Sequence, residues 1–94
     1  MRITRFAKRF RRDYRRMQRS GKNIAKLDAV MKMLVDEMLL QPKHKDHALH
    51  GEWQGARDCH VEGDWILIYE LTFNKEGEDV IIFHATDTHE NLFG

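Results

Sequence analysis

Apolar residues return along the first half of the chain at helical intervals. Phe6, Phe10, Tyr14 and Met17 recur at spacings of four, four and three, which puts them on one face of a helix. Arg5, Lys8, Arg9, Arg11, Arg12, Arg15, Arg16 and Arg19 fill its remaining faces. Thr4 takes the N-cap position, where its hydroxyl accepts from a free amide of the first turn. Gly21 marks the stop, because glycine adopts the left-handed conformation at little cost. Ile24, Leu27, Met31, Leu34, Val35 and Met38 keep the same period in a second helix, capped by Asn23 and ended by Gln41-Pro42. Two amphipathic helices joined by a few residues predict an antiparallel helical hairpin.

Beyond Pro42 the period changes. Lys43–Gly55 is polar and His-rich and reads as a loop, with a short extended piece at Ala48-Leu49. Arg57–Glu62 alternates as a short strand, Gly63-Asp64 makes a turn, and Trp65–Leu71 is a β-rich strand, so the two form a hairpin. Asn74–Asp79 is the next turn and Val80–Ala85 a further strand. Met1–Ile3 is compatible with an added edge strand, and Thr88–Gly94 with a single helical turn. A helical hairpin followed by a meander predicts an α+β fold, with the helices on one face of a small, mainly antiparallel sheet.

The chain's 94 residues suit one domain spanning 1–94. The longest apolar runs, Trp65–Tyr69 and Val80–Phe83, fall far short of the roughly 20 residues of a membrane-spanning helix. The basic N-terminus has no apolar stretch behind it, so it does not read as a secretory signal. One cysteine, Cys59, excludes an intramolecular disulfide framework and a cysteine-rich zinc site. These features together predict a cytoplasmic protein.

The net charge of +1 conceals a polarised chain. Residues 1–26 carry eleven Lys or Arg against one acid, Asp13, whereas residues 48–94 carry two basic residues against ten acids. All six histidines lie between His44 and His89. A basic block on a folded helix is an electrostatic footprint for phosphate, and equally one that an acidic protein partner neutralises.

The usual catalytic signatures are absent: there is no Gly-rich phosphate loop, HExxH, CxxC or G-x-S-x-G. His44, His47 and His50 lie three residues apart, but a loop gives them no common face for a metal. Acid–base chemistry fits the histidines better. His60 near a strand end, Asp64 in the turn, His89 in the tail and His47 from the preceding loop can converge on one edge of a small sheet. Imidazoles beside a polyanion-binding surface suit the cleavage of RNA. RNA carries its own nucleophile in the 2′-OH, so a base, an acid and a stabiliser of phosphorane charge suffice without a metal or other cofactor.

The run KDHALHGEWQGARDCHVEGDWILIYEL from Lys45 onward, with THENLFG at the end, resembles the YafQ branch of the RelE-type toxins of bacterial type II toxin–antitoxin systems. The resemblance is specific over residues 45–70 and 88–94; the helical hairpin matches in character. It implies a RelE-like fold and a toxin that cuts mRNA in the ribosomal decoding site, the 2′-OH attacking the adjacent phosphate. It also implies a cognate antitoxin as partner, with operator DNA reached only through the antitoxin complex. His47, His60, Asp64 and His89 would form the acid–base and transition-state group. Trp65 and Phe93 would shape the pocket or hold the RNA, with Arg57 and His84 as further substrate contacts. The arginines of the first helix and Lys8 would meet ribosomal RNA. One position departs from the family pattern, which places an arginine four residues before the late histidine: here it is Ala85. His84 is adjacent, but successive strand residues point to opposite faces, so it can substitute only where the strand bulges or twists. Ala85 favours the alternative reading, a non-catalytic module of the same fold that binds antitoxin, RNA or operator DNA.

Overall fold

Alternation of apolar and polar positions builds the centre of the molecule. In the computed structural model, which describes residues 1–94, strands β1 (Ile3–Phe6), β2 (His47–Ala48), β3 (Arg57–Glu62), β4 (Trp65–Phe73) and β5 (Asp79–Thr88) form one sheet. Their order is β1-β5-β4-β3-β2. Three pairings are antiparallel, and β1 runs parallel to β5. Helices α1 (Lys8–Arg19) and α2 (Ile24–Val35) cover one face, and a short α3 (His89–Phe93) follows β5. The expected α+β architecture, a helical hairpin on a mainly antiparallel sheet, is the one observed.

Strands β3, β4 and β5 contribute alternate residues to the main core. Cys59 and Val61 of β3, Trp65, Leu67 and Tyr69 of β4, and Ile81 and Phe83 of β5 pack against Phe10, Met17, Leu27, Val30 and Leu34 of the helices. The intervening residues face away from the helices. There Ile66, Ile68 and Ala85 join Ala56 in a smaller apolar cluster, against which Leu49, Trp53 and Leu92 pack. Asp58 and His60 of β3 share the parity of this second, open face.

Two boundaries differ from expectation. The first helix does not start after Thr4. Residues 3–6 instead pair with Val80–Phe83 as β1, which satisfies backbone groups that a helix start there would leave free. Ala7 takes the N-cap position without a side-chain cap bond. Phe6 leaves the helix yet stays in the apolar stripe, stacked on Phe10 and Phe83 at 5.7 and 5.9 Å between ring centroids. The second helix ends at Val35, before Met38 and Pro42. The N-terminal segment takes its free carbonyls: the Arg2 guanidinium donates to Leu34 O at 2.6 Å and the Arg2 amide to Val35 O at 2.7 Å. Glu37 then turns the chain with φ +62°, and its carboxylate meets the N-terminal ammonium at 3.0 Å.

The β4–β5 ladder is interrupted once. Ile68 pairs with Ala85 and Tyr69 with Phe83, so His84 is an extra residue in β5. Such a bulge re-aims side chains. Here Phe83 stays in the main core, Ala85 joins the open-face cluster, and His84 lies on that same open face beside Glu70 and Trp53.

Candidate active site

The alternation of β3 that buries Cys59 and Val61 turns Asp58 and His60 to the open face. Asp58 is almost wholly buried, with 3% of its side chain exposed. His47, directly opposite in β2, brings Nδ1 to 3.2 Å from Asp58 Oδ1. That nitrogen is directed at the Lys45 carbonyl at 2.7 Å, and Asp58 Oδ1 accepts no hydrogen bond. Burial pushes the Asp58 carboxyl above the usual carboxylate range, and the charges of His47, His60 and His89 act in the opposite sense. His47 thus meets the buried carboxylate directly, while His60, two residues along the same strand, and His89 act on it through their charge.

Backbone carbonyls set the tautomers of two of them. His47 Nδ1 faces Lys45 O, and His60 Nδ1 faces Gly63 O at 2.8 Å. A carbonyl only accepts, so in each ring Nδ1 carries the proton and donates. Nε2 is then the nitrogen with a free lone pair in the neutral ring, able to take a proton from a bound hydroxyl. His89 opens α3, its amide donates to Asp64 O at 2.9 Å, and its ring leans on Phe93 at 4.9 Å. Asp64 itself is exposed in the β3–β4 turn. His89 and Asp64 thus share the corner at the β3–β4 turn, and His60 sits near the end of β3 that leads into it.

A polar network fixes that corner from behind. Asp87, at the end of β5, accepts from the Arg16 guanidinium at 2.6 Å, from the Thr88 amide at 2.8 Å and from Asn91 Nδ2 at 3.0 Å. Thr88 caps α3 by accepting from the Asn91 amide. Arg16 also reaches Asp13 at 3.1 Å, and buried Asp13 takes bonds from Arg9 and from the Thr86 amide. Helix α1 is thereby tied to the strand end that carries His89.

Several sequence-selected residues sit elsewhere. Trp65 is a correction: its ring is 2% exposed in the main core, its Nε1 donates to Thr86 Oγ1 at 2.9 Å, and no base can stack on it there. Alternation explains this, since Trp65 shares the face of Leu67 and Tyr69. Arg57 is a second correction. It lies on the face opposite Asp58 and bonds Asp46 at 3.2 Å, where Tyr69 Oη also donates at 2.6 Å. Phe93 is 36% exposed beside His89. His84 meets the condition of a bulge and shares the open face, but its Nε2 is engaged by Glu70 at 2.8 Å. Ala85 is buried in the floor of that face. Of the basic residues, Arg5 (in β1, not a helix), Lys8, Arg11, Arg12, Arg15 and Arg19 are exposed. Arg9 and Arg16 pair with Asp13, Arg16 while remaining exposed. The loop histidines diverge: His44 is buried with Nδ1 on His60 O at 2.6 Å, His47 meets Asp58, and His50 is exposed. Sequence reasoning from the side chains alone passed over Asp58, although its parity with His60 along β3 was the available signal.

Comparison with known proteins identifies the class. The chain is a bacterial toxin of a type II toxin–antitoxin system, since residues 2–94 match the family described as "Bacterial toxin of type II toxin-antitoxin system, YafQ". Within that class it belongs to the YafQ family. It is 42% identical over 86 residues, covering 90% of this chain and 88% of the relative, to mRNA interferase toxin YafQ of Escherichia coli K12. Its fold is similar to the crystal structure of YafQ from E. coli BL21(DE3), with a TM-score of 0.89 at 38% identity and both chains fully covered. It is also similar to a structure of the E. coli DinJ–YafQ complex, with a TM-score of 0.87, 38% identity and full coverage of both chains.

Proposed function

We propose that this toxin is an mRNA endoribonuclease that acts on the ribosome in the cytoplasm and is restrained by a cognate antitoxin, through which alone it reaches operator DNA. The observation that carries the reading is the cluster of His47, His60 and His89 around buried Asp58. It is supported by the name and activity of the 42% identical relative and by the antitoxin complex of a similar structure.

The chemistry follows from the donor set. One neutral imidazole takes the proton of the 2′-OH through Nε2, and the freed oxygen attacks the adjacent phosphorus. A second, protonated imidazole gives its proton to the departing 5′ oxygen. The products are a 2′,3′-cyclic phosphate and a 5′-hydroxyl end. The nucleophile belongs to the RNA, so the step calls for no metal ion. Asp58 favours the imidazolium that forms, and Phe93 offers the aromatic surface on which a base can stack. His60→Ala and His89→Ala are expected to restore growth to cells expressing the protein while leaving its melting temperature close to wild type. Full toxicity of both variants overturns this site assignment.

Ala85 supports a second reading, the non-catalytic module. No arginine stands at the position of Ala85, Arg57 points to the other side and His84 is engaged by Glu70. A missing charge donor of this kind costs about 3–4 kcal/mol of transition-state stabilisation in comparable sites. On this reading the wild-type protein is expressed in soluble form without arresting growth.

A further inference from the structure

A groove of about 580 Å3 runs along the outer edge of β3, between α2 and a single 3-10 turn at Pro42–His44. It exists because β2 is only two residues long and pairs with Arg57 and Asp58 alone. The rest of the β3 edge is left without a neighbouring strand. The 3-10 turn stands beside it, pinned where His44 Nδ1 donates to His60 O at 2.6 Å. Ala29 and Met33 of α2, over buried Val30, form part of its apolar wall, Lys26, Lys43 and Lys45 its rim, and His60 belongs both to the groove and to the imidazole cluster.

The charges on the rim are not equivalent. Lys26 is neutralised by Glu62. Lys43 and Lys45 are exposed and form no ion pair with any carboxylate. Lys45 also holds a left-handed backbone conformation, φ +48°, which a lysine adopts only at a cost in strain. That turn lets one short segment place Lys43 and Lys45 on the groove while His47 reaches Asp58. The volume lies within the range of roughly 300–1,000 Å3 usual for small-ligand sites. A cationic rim, an apolar wall and a shared proton-transfer residue suit one ligand class, a nucleotide with its phosphate outward and its base inward.

We propose that this groove is a nucleotide subsite, taking the residue of the RNA strand that flanks the phosphodiester at His60. Lys43 and Lys45 hold its backbone phosphates, and Ala29 and Met33 accept its base. The subsite rests on the nuclease reading for its purpose, but its occupancy is measured independently of cleavage.

The test is a 1H–15N titration of the full chain with a single-stranded RNA hexamer whose 2′-O-methyl groups prevent self-attack. The amides of Lys43, Lys45, Glu62 and Gly63 are expected to shift together with that of His60. The double variant Lys43→Gln/Lys45→Gln, at two exposed positions, is expected to bind about tenfold more weakly. Two lost phosphate contacts should also reduce the slope of log K against log salt by about 1.4, since each contact on single-stranded nucleic acid contributes about 0.7. Absence of binding to millimolar RNA, shifts confined to α1 or to the open face, or an undiminished affinity of the double variant each overturns the subsite. So does an equal response to a polyglutamate decapeptide, which would make the groove a docking place for an acidic polypeptide instead. The nuclease reading fails separately, through unchanged toxicity of the His60→Ala and His89→Ala variants.

Discussion

Asp58 is held in a position that costs the fold something. Its buried Oδ1 accepts no hydrogen bond, and burial raises its carboxyl above the ordinary range. Between the unfolded-state value near 3.8 and the raised folded value, the folded chain binds more protons than the unfolded one. Stability from this group therefore falls as pH rises through that window. Asp58→Asn is expected to stabilise the fold at neutral pH by about 1 kcal/mol, the usual gain when a functional group held under strain is relieved. The gain should vanish below the ordinary carboxylate range, where wild-type Asp58 is already neutral. The same variant should cleave mRNA more slowly, since no negative charge then faces the imidazoles. Thermal melts at pH 7 and pH 3, with cleavage assayed alongside, check both halves. At this scale the histidines were legible in the sequence because of their chemistry. The burial of Trp65 was not foreseen, because an aromatic beside a polar turn looks the same whether its strand parity faces the core or the open face. Parity was the missing step for Asp58 and Arg57 as well.

Helix α1 does two jobs on different faces. Its exposed arginines give the molecule a cationic surface, while Asp13, the one acid among its cations, is buried against β5 and binds Arg9, Arg16 and the Thr86 amide. Asp13→Ala leaves that amide buried without a partner, and the arginines remain hydrated. The expected loss is about 1–3 kcal/mol, read as a melting temperature roughly 5–15 °C lower. Arg16→Gln cuts the link to Asp87 and frees the first turn of α3. It should reduce cleavage more than Arg12→Gln, which removes an equal charge from an exposed position. A comparable loss in both variants contradicts the positioning role of Arg16. Helical periodicity revealed both long helices, but the start of α1 was hidden because Phe6 satisfies the same stripe from a strand. The bulge at His84 was likewise out of reach, since a residue inserted between Phe83 and Ala85 leaves no mark on composition or local propensity.

Across the whole molecule the charge is segregated: the exposed cations of β1 and α1 lie towards the N-terminus, and ten of the fifteen acids lie in residues 48–94. This distribution was read directly from the sequence, whereas the pairing of Arg9 and Arg16 with Asp13 required the fold. Phosphate contacts by exposed arginines supply affinity without sequence information and make it sensitive to salt. Replacing Arg11, Arg12, Arg15 and Arg19 together with Gln should weaken ribosome association and flatten its salt dependence. Each substitution should change stability by less than about 0.5 kcal/mol. Unchanged association at moderate salt removes the role given to this face.

Whether the imidazole corner cuts translated mRNA is decided by inducing the wild-type chain in a bacterial host. Primer extension would be run on an abundant mRNA and on a copy of it without a start codon. Growth arrest and discrete cuts within codons of the translated message are expected, absent from the untranslated copy and lost in His60→Ala. Normal growth with soluble protein and an intact message would contradict this expectation, and would leave the fold as a binding module.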